Sequence, residues 1–241
     1  MDYVQLFKAH IRPCRVSRIL KTTTMGKFIL GDCMDLETGL PSYPDKFFDL
    51  AIVDPPYGIN ADQKRGDTGR NGHIKQRDYH IGNWDKGIPT PEYFSEIKRV
   101  SKNQIIWGGN YFLDYLGNTS CFVVWDKDNS DNLYADCELA WTSFDTAVRK
   151  AKYRWHGFLQ GDMKNKENRV HPTQKPVSLY RWLLENYAKP GQLILDTHVG
   201  SASSLIACES MGFDYIGFEI DPDYYAAAKN RMSKGIQAVL I

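Results

Sequence analysis

Two short stretches hold residue types whose spacing could do chemistry. In "AIVDPPYGIN" (51–60) an apolar run delivers Asp54 to a turn stiffened by Pro55 and Pro56, with Tyr57 behind it. Neither proline has an N–H to offer. The Asp54 carboxylate and the Pro55 carbonyl are therefore both free to accept from one amino group, and the Tyr57 ring offers a flat face on which a base can stack. Together they read as a receptor for a planar ring bearing NH₂. Such an amine is a poor nucleophile because its lone pair is delocalised into the ring. Two acceptors drawing on its hydrogens favour a more tetrahedral nitrogen, a stabilisation useful mainly in a transition state.

The second stretch, "LILDTHVGSASSLIACESMG" (193–212), is a strand ending in Asp196, a turn at Gly200, and a helix opened by Ser201 to Ser204. A glycine there lets a ligand approach the backbone, and free N–H groups at the helix start favour an anionic group such as a carboxylate. Nineteen residues beyond Gly200, the strand "YIGFEI" ends at Glu219. An acid at that distance, on the tip of a neighbouring strand, is placed to accept from ribose hydroxyls. The pair implies a nucleoside cofactor. The chain has neither G-x-G-x-x-G nor G-x-x-x-x-G-K, so a group other than pyrophosphate is expected.

The elements that must position these residues follow from periodicity. Short β-rich apolar runs occur at 27–32, 47–54, 103–109, 121–126, 138–144, 192–196 and 215–220. Helical patterns occupy 91–101, 177–188, 202–212 and 222–234, the first opened by Thr90 and Pro91. Seven strands alternating with helices predict an α/β fold, a mainly parallel sheet with helices on both faces and ligands at the carboxyl ends of its strands. Residues 60–86 and 145–170 break the alternation and read as functional or mobile loops.

Composition sets the limits. The chain has 241 residues, 42% of them hydrophobic, which suits one large domain rather than two. The expected organisation is an N-terminal appendage of unknown role over 1–24 and a single domain over 25–241. No run approaches the roughly 18 apolar residues of a membrane span, so a soluble, intracellular (cytoplasmic) protein with no membrane partner is expected. Cys14, Cys33, Cys121, Cys137 and Cys208 lack the paired spacing of a zinc site, and no metal is expected. Net charge is only +1, but residues 145–175 hold eight bases against three acids, a stretch able to face phosphates.

The motifs, spread across almost all of 25–234, resemble the S-adenosylmethionine-dependent amino-methyltransferases that modify adenine N6 or cytosine N4 in DNA. "DPPY" resembles their catalytic motif, "HPTQKP" (171–176) the segment ahead of the cofactor half, "DTHVGSASS" a variant of the cofactor loop, and "IGFEIDPDYYAAAKNRM" the ribose-binding strand and helix. Their order is similar to the permuted β group, and it implies a Rossmann-like fold. It also makes 145–170, with 60–86, the candidate DNA-recognition segments.

The resemblance implies Asp54, Pro55, Pro56 and Tyr57 as the catalytic set. It implies Asp196, Gly200 and Ser201 for the methionine end of S-adenosylmethionine, and Asp54, His198, Ala202, Ser203 and Ile220 as further cofactor-binding residues. Glu219 falls to the cofactor ribose, Asp32 and Cys33 of "GDCMD" to the cofactor adenine, and Thr173 and Lys175 to the cofactor carboxylate. For Thr173 and Lys175, helix entry and surface charge are equally open. Where the family reads D-P-F-x-G-S-G-T this chain has Thr197, His198 and Ala202.

The implied activity is site-specific methylation of adenine N6 in double-stranded DNA, with the target base flipped out, in a prokaryotic or phage-infected cell and in a restriction–modification setting. A homodimer is among the implied partners. Open alternatives are cytosine N4 methylation, adenine methylation of RNA, and a catalytically silent protein that binds nucleic acid or cofactor.

Overall fold

The computed structural model describes residues 25–61, 84–129, 135–156 and 159–239. The N-terminal appendage and most of the 60–86 segment lie outside the described residues. In chain order the elements are β1 (Gly26–Leu30), β2 (Phe48–Val53), α1 (Pro91–Val100), β3 (Ser101–Trp107), α2 (Leu113–Leu116), β4 (Phe122–Asp126), β5 (Cys137–Thr142) and β6 (Arg149–Lys152). They continue with β7 (Trp155–His156), β8 (Leu159–Gln160), α3 (Val177–Tyr187), β9 (Leu193–Asp196), α4 (Ser203–Met211), β10 (Asp214–Glu219) and α5 (Pro222–Val239).

The main sheet has the order β1-β10-β9-β2-β3-β5-β4-β6. Its left half through β3 is parallel, β5 runs antiparallel to both β3 and β4, and β6 returns parallel to β4. Sequence patterning finds seven of these strands. The eighth, β6, and the β7–β8 ribbon fall inside the segment expected to be a loop. The reason is local: in "RKAK" only Ala151 is buried, so the strand shows no apolar alternation. It is an edge strand held by its backbone ladder and by cross-strand pairs of Lys150 with Asp126 and Lys152 with Asp128, to which Arg154 adds a second partner for Asp128. These acids offset part of the basic excess read from the sequence.

The central strand β2, "FDLAIV", is buried along its length except at Asp49, as a parallel strand covered on both faces should be. One face packs under α3, α4 and α5 through residues such as Leu179, Leu183, Leu205 and Ala228. The other packs under α1 through Tyr93, Phe94 and Ile97. Helix α1 starts where expected, with Thr90 extended at its N-cap and Pro91 in its first turn. Helix α5 is opened by Asp221, whose Oδ1 accepts from the Asp223 and Tyr224 N–H groups.

Strands β2 and β9 are hydrogen-bonded neighbours in register at Leu50 and Ile194. The chain continues from β2 to β3 on one side and from β9 to β10 on the other. The order therefore reverses between β2 and β9, and their carboxyl ends splay open the crevice in which such sheets hold ligands.

Candidate active site

Asp54 leaves the end of β2 into that crevice. Its Oδ1 accepts from the Tyr57 hydroxyl at 2.5 Å and its Oδ2 from Lys175 Nζ at 2.5 Å. The Tyr57 ring stacks on Tyr111 at 5.1 Å, so one of its faces is already covered. It lies so close to Gly108 that a Cβ there would come 2.2 Å from Tyr57 Cε1, and Gly108 also sits at φ +69. Only glycine fits that position.

The backbone after the two prolines is held by Asp85. Its Oδ1 accepts from the Tyr57 and Gly58 N–H groups at 2.7 and 2.9 Å, and its Oδ2 from Ala61 at 2.7 Å.

Lys175 is buried at 3% exposure, which excludes the surface-charge reading. Its ammonium also lies 3.1 Å from Glu138 Oε2 and sits over the Trp107 and Tyr57 rings. Glu138 Oε1 in turn pairs with Lys127 at 2.6 Å. The corner thus alternates in sign, Asp54, Lys175, Glu138, Lys127. Burial pushes the Asp54 carboxyl up, and Lys175 opposes it without cancelling it. Burial also disfavours charge on Glu138 and Lys175, but the ion pairs outweigh it, holding Glu138 low and Lys175 high.

The Gly200 turn is built differently. Gly200 has φ +53 and its N–H donates to Glu219 Oε2 at 2.7 Å, while Glu219 Oε1 accepts from the Asp221 N–H. Asp196 is buried beneath the turn, accepting from the His198 N–H at 3.0 Å and from the Ser204 hydroxyl. Burial drives its carboxyl up to about 7. The residues departing from the family loop are partnered: Tyr93 OH bonds Thr197 Oγ1 at 2.7 Å, and Thr197 Oγ1 bonds His198 Nδ1 at 2.9 Å. Ala202 sits at φ +61, a left-handed conformation that a glycine takes without strain.

Ser203 ties the two regions together. Its hydroxyl donates to the Lys175 carbonyl at 2.7 Å and accepts from Arg231 Nη1, which also reaches the Ser201 carbonyl. Arg231 Nη2 bonds Glu167 Oε2 at 2.6 Å.

A cavity of about 280 Å³ is lined by Asp54, Pro56, Lys175, His198, Gly200, Glu219 and Ile220. Thr173, Ser201 and Ser203 also line it. Part of its lining is aromatic: Trp84, Tyr224 and, between them, His171, whose pKa falls to about 3 through burial and the nearby Lys175 charge. The indole N–H of Trp84, on this wall, has no hydrogen-bond partner among the described residues.

Several expected site residues stand off the cavity. Asp196 and Ala202 are packed beneath the turn, and Asp32 and Cys33 sit beside it, Asp32 capping the Met34 N–H. Gly31 nevertheless donates to the Glu219 carbonyl, which keeps that segment against the ribose side. Pro55 and Tyr57 flank Asp54 without lining the cavity. Sequence reasoning did not single out Glu138, Asp85, Arg231 or the Trp84, His171, Tyr224 wall. The one available signal was an acid opening an apolar strand, "ELAW".

The family model described as DNA methylase matches residues 102–230. "Putative methylase YubD" of Escherichia coli (strain K12) is 25% identical over 226 residues, 87% of this chain and 91% of that protein. The type II methyltransferase M.HpaI of Haemophilus parainfluenzae is 35% identical over 68 residues, 28% of this chain and 22% of that one. Among solved structures, M1.HpyAVI in complex with SAM aligns at TM-score 0.54 and 18% identity, covering 86% of this chain and all of that one. The PvuII DNA methyltransferase (cytosine-N4-specific) aligns at TM-score 0.54 and 15% identity, covering 90% and 92%. These likenesses share the fold described above, and with more than half of its length matched by the family model, the chain belongs to the DNA methylase family.

Proposed function

We propose that the protein transfers a methyl group from S-adenosylmethionine to adenine N6 in DNA. The observation that carries this reading is a single cavity lined by Asp54, by Glu219 and by the aromatic residues Trp84, His171 and Tyr224. The residues fit the donor. Glu219 keeps lone pairs for ribose hydroxyls, the Trp84, Tyr224 and His171 rings suit a purine, the Trp84 N–H, without a partner among the described residues, calls for an acceptor, and the Gly200 turn lets a ligand close on the backbone. S-adenosylmethionine supplies an electrophilic methyl on a sulfonium.

This chain's residues do the rest. Asp54 and the Pro55 carbonyl accept the hydrogens of the target amine and turn its lone pair towards the methyl. With S-adenosylmethionine held there, the N–C bond would form as its S–C bond broke with the bonding pair left on sulfur, and Asp54 would pass one amine proton to solvent. No covalent bond to the protein forms. Burial pushes Cys33 up to about 12, so that thiol is unsuited to nucleophilic attack.

The amine is paired inside a duplex, so the target base must flip out to reach Asp54. Within the resembling family, Asp rather than Ser ahead of P-P-Y favours adenine over cytosine. The exposed bases of 145–170, such as Lys164 and Lys166, are assigned to DNA contact. Calorimetric titration with S-adenosylmethionine is expected to show one site. Digestion of treated DNA to nucleosides is expected to yield N6-methyldeoxyadenosine by mass, and N4-methyldeoxycytidine alone would overturn the choice of base.

A further inference from the structure

Both oxygens of Asp54 already hold a donor before any substrate arrives. Tyr57 donates to one oxygen and Lys175 to the other, each at 2.5 Å. The Lys175 ammonium therefore stands where the hydrogens of a target amine must come, a nitrogen donor holding the seat of another nitrogen donor. Moving it away without a second acceptor would strand a buried charge.

Glu138 is that acceptor. It lies in the half-buried start of β5, its Oε1 is taken by Lys127 at 2.6 Å, and its Oε2 is buried 3.1 Å from Lys175 Nζ. Oε2 is held by that ammonium as an ion pair, in poorer hydrogen-bond geometry than Asp54 has, and takes no other donor among the described residues. An ammonium on a four-carbon stem reaches it by turning about its last bonds. The Trp107 and Tyr57 rings, 5.3 and 5.6 Å from Nζ, flank the ammonium.

We propose that Glu138 is a positioning residue for methyl transfer: it takes over the hydrogen bonding of Lys175 when the target amine arrives, so that Asp54 is released to the amine with no change in the charge of the corner. This rests on the methyl-transfer reading above. Lys175 keeps all its protons throughout.

The test is steady-state methylation of duplex DNA by the full chain, with calorimetric S-adenosylmethionine binding measured on the same preparations. Glu138→Gln keeps the shape and removes the charge, and is expected to lower kcat at least tenfold with cofactor Kd within twofold of wild type. Glu138→Asp restores the carboxylate one methylene short, and should recover part of the loss even if the Gln variant folds poorly. In a double-mutant cycle with Lys175→Met, Glu138→Gln should cost little further, because Glu138 acts only through Lys175.

Wild-type turnover in Glu138→Gln, a matching loss of cofactor binding, or losses that multiply in the double variant would each overturn the assignment of Glu138 alone. A wild-type protein that methylates no DNA would overturn the functional reading, and this inference with it.

Discussion

The Asp54 corner and the Gly200 turn, which line one cavity, solve the same problem, burying polar groups, by opposite means. At the Asp54 corner four charged side chains alternate in sign. At the Gly200 turn, Asp196 and Glu219 are satisfied by hydroxyls and backbone N–H groups, and neither has an ion-pair partner among the described residues. A charged corner suits a site where charge is redistributed during reaction. A dipole-lined turn suits a ligand that is held without changing charge. The comparison assigns chemistry to the first and binding to the second, and single substitutions should separate them.

The largest effect is expected at the corner. Asp54→Asn removes the carboxylate that accepts from the amine and should lower kcat by about 1000-fold, with cofactor Kd measured by calorimetry unchanged. Next comes Glu219→Ala, which deletes the ribose acceptor and leaves the Gly200 N–H without its partner. It should weaken cofactor binding by about 1–3 kcal/mol, read in the same titration, while kcat at saturating cofactor stays close to wild type.

A smaller, pH-dependent effect belongs to the turn. Burial raises Asp196 from 3.8 to about 7 in the folded protein. Between those values the folded state holds a proton that the unfolded chain has released, so stability is fully present below pH 3.8 and declines as the pH rises through about 7. Melting curves of wild type and Asp196→Asn should therefore shift apart in favour of the variant as the pH is raised from 5 to 8. The smallest effect is expected for Ala202→Gly. Relief of the left-handed conformation, about 1 kcal/mol before the added freedom of the unfolded chain is subtracted, should raise the melting temperature by no more than about 2–4 °C.

How much of this was legible follows the range over which each feature is specified. The central strands were, because "FDLAIV" and "LILD" are near-continuous apolar runs that only a covered parallel sheet accommodates. Helix α1 was, because Thr90 and Pro91 mark its start locally. Strand β6 was not, since its pairing with β4 depends on a backbone ladder and on acids more than twenty residues earlier.

The site divides in the same way. Asp54, Tyr57, Gly200 and Glu219 announce themselves in short motifs. Lys175 was noticed within "HPTQKP", but its contact with Asp54 spans 121 positions and nothing local reveals that it is buried. Asp85 braces Tyr57 from 28 residues away, and Glu138 has meaning only once Lys127 and Lys175 are brought to it. Thr197 and His198, departures from the family loop, turn out to be bonded to Tyr93 of α1 and to each other. That contact joins residues 104 apart in the chain.

The division of labour between corner and turn is tested most directly by one paired measurement on Asp54→Asn. Methyl-labelled S-adenosylmethionine is supplied with duplex DNA, the label in adenine N6 is counted after digestion, and cofactor Kd is determined on the same sample. The account expects label in the wild-type product, almost none with the variant, and equal Kd values. Label transferred by the variant at the wild-type rate, or a variant that no longer binds the cofactor, would contradict it.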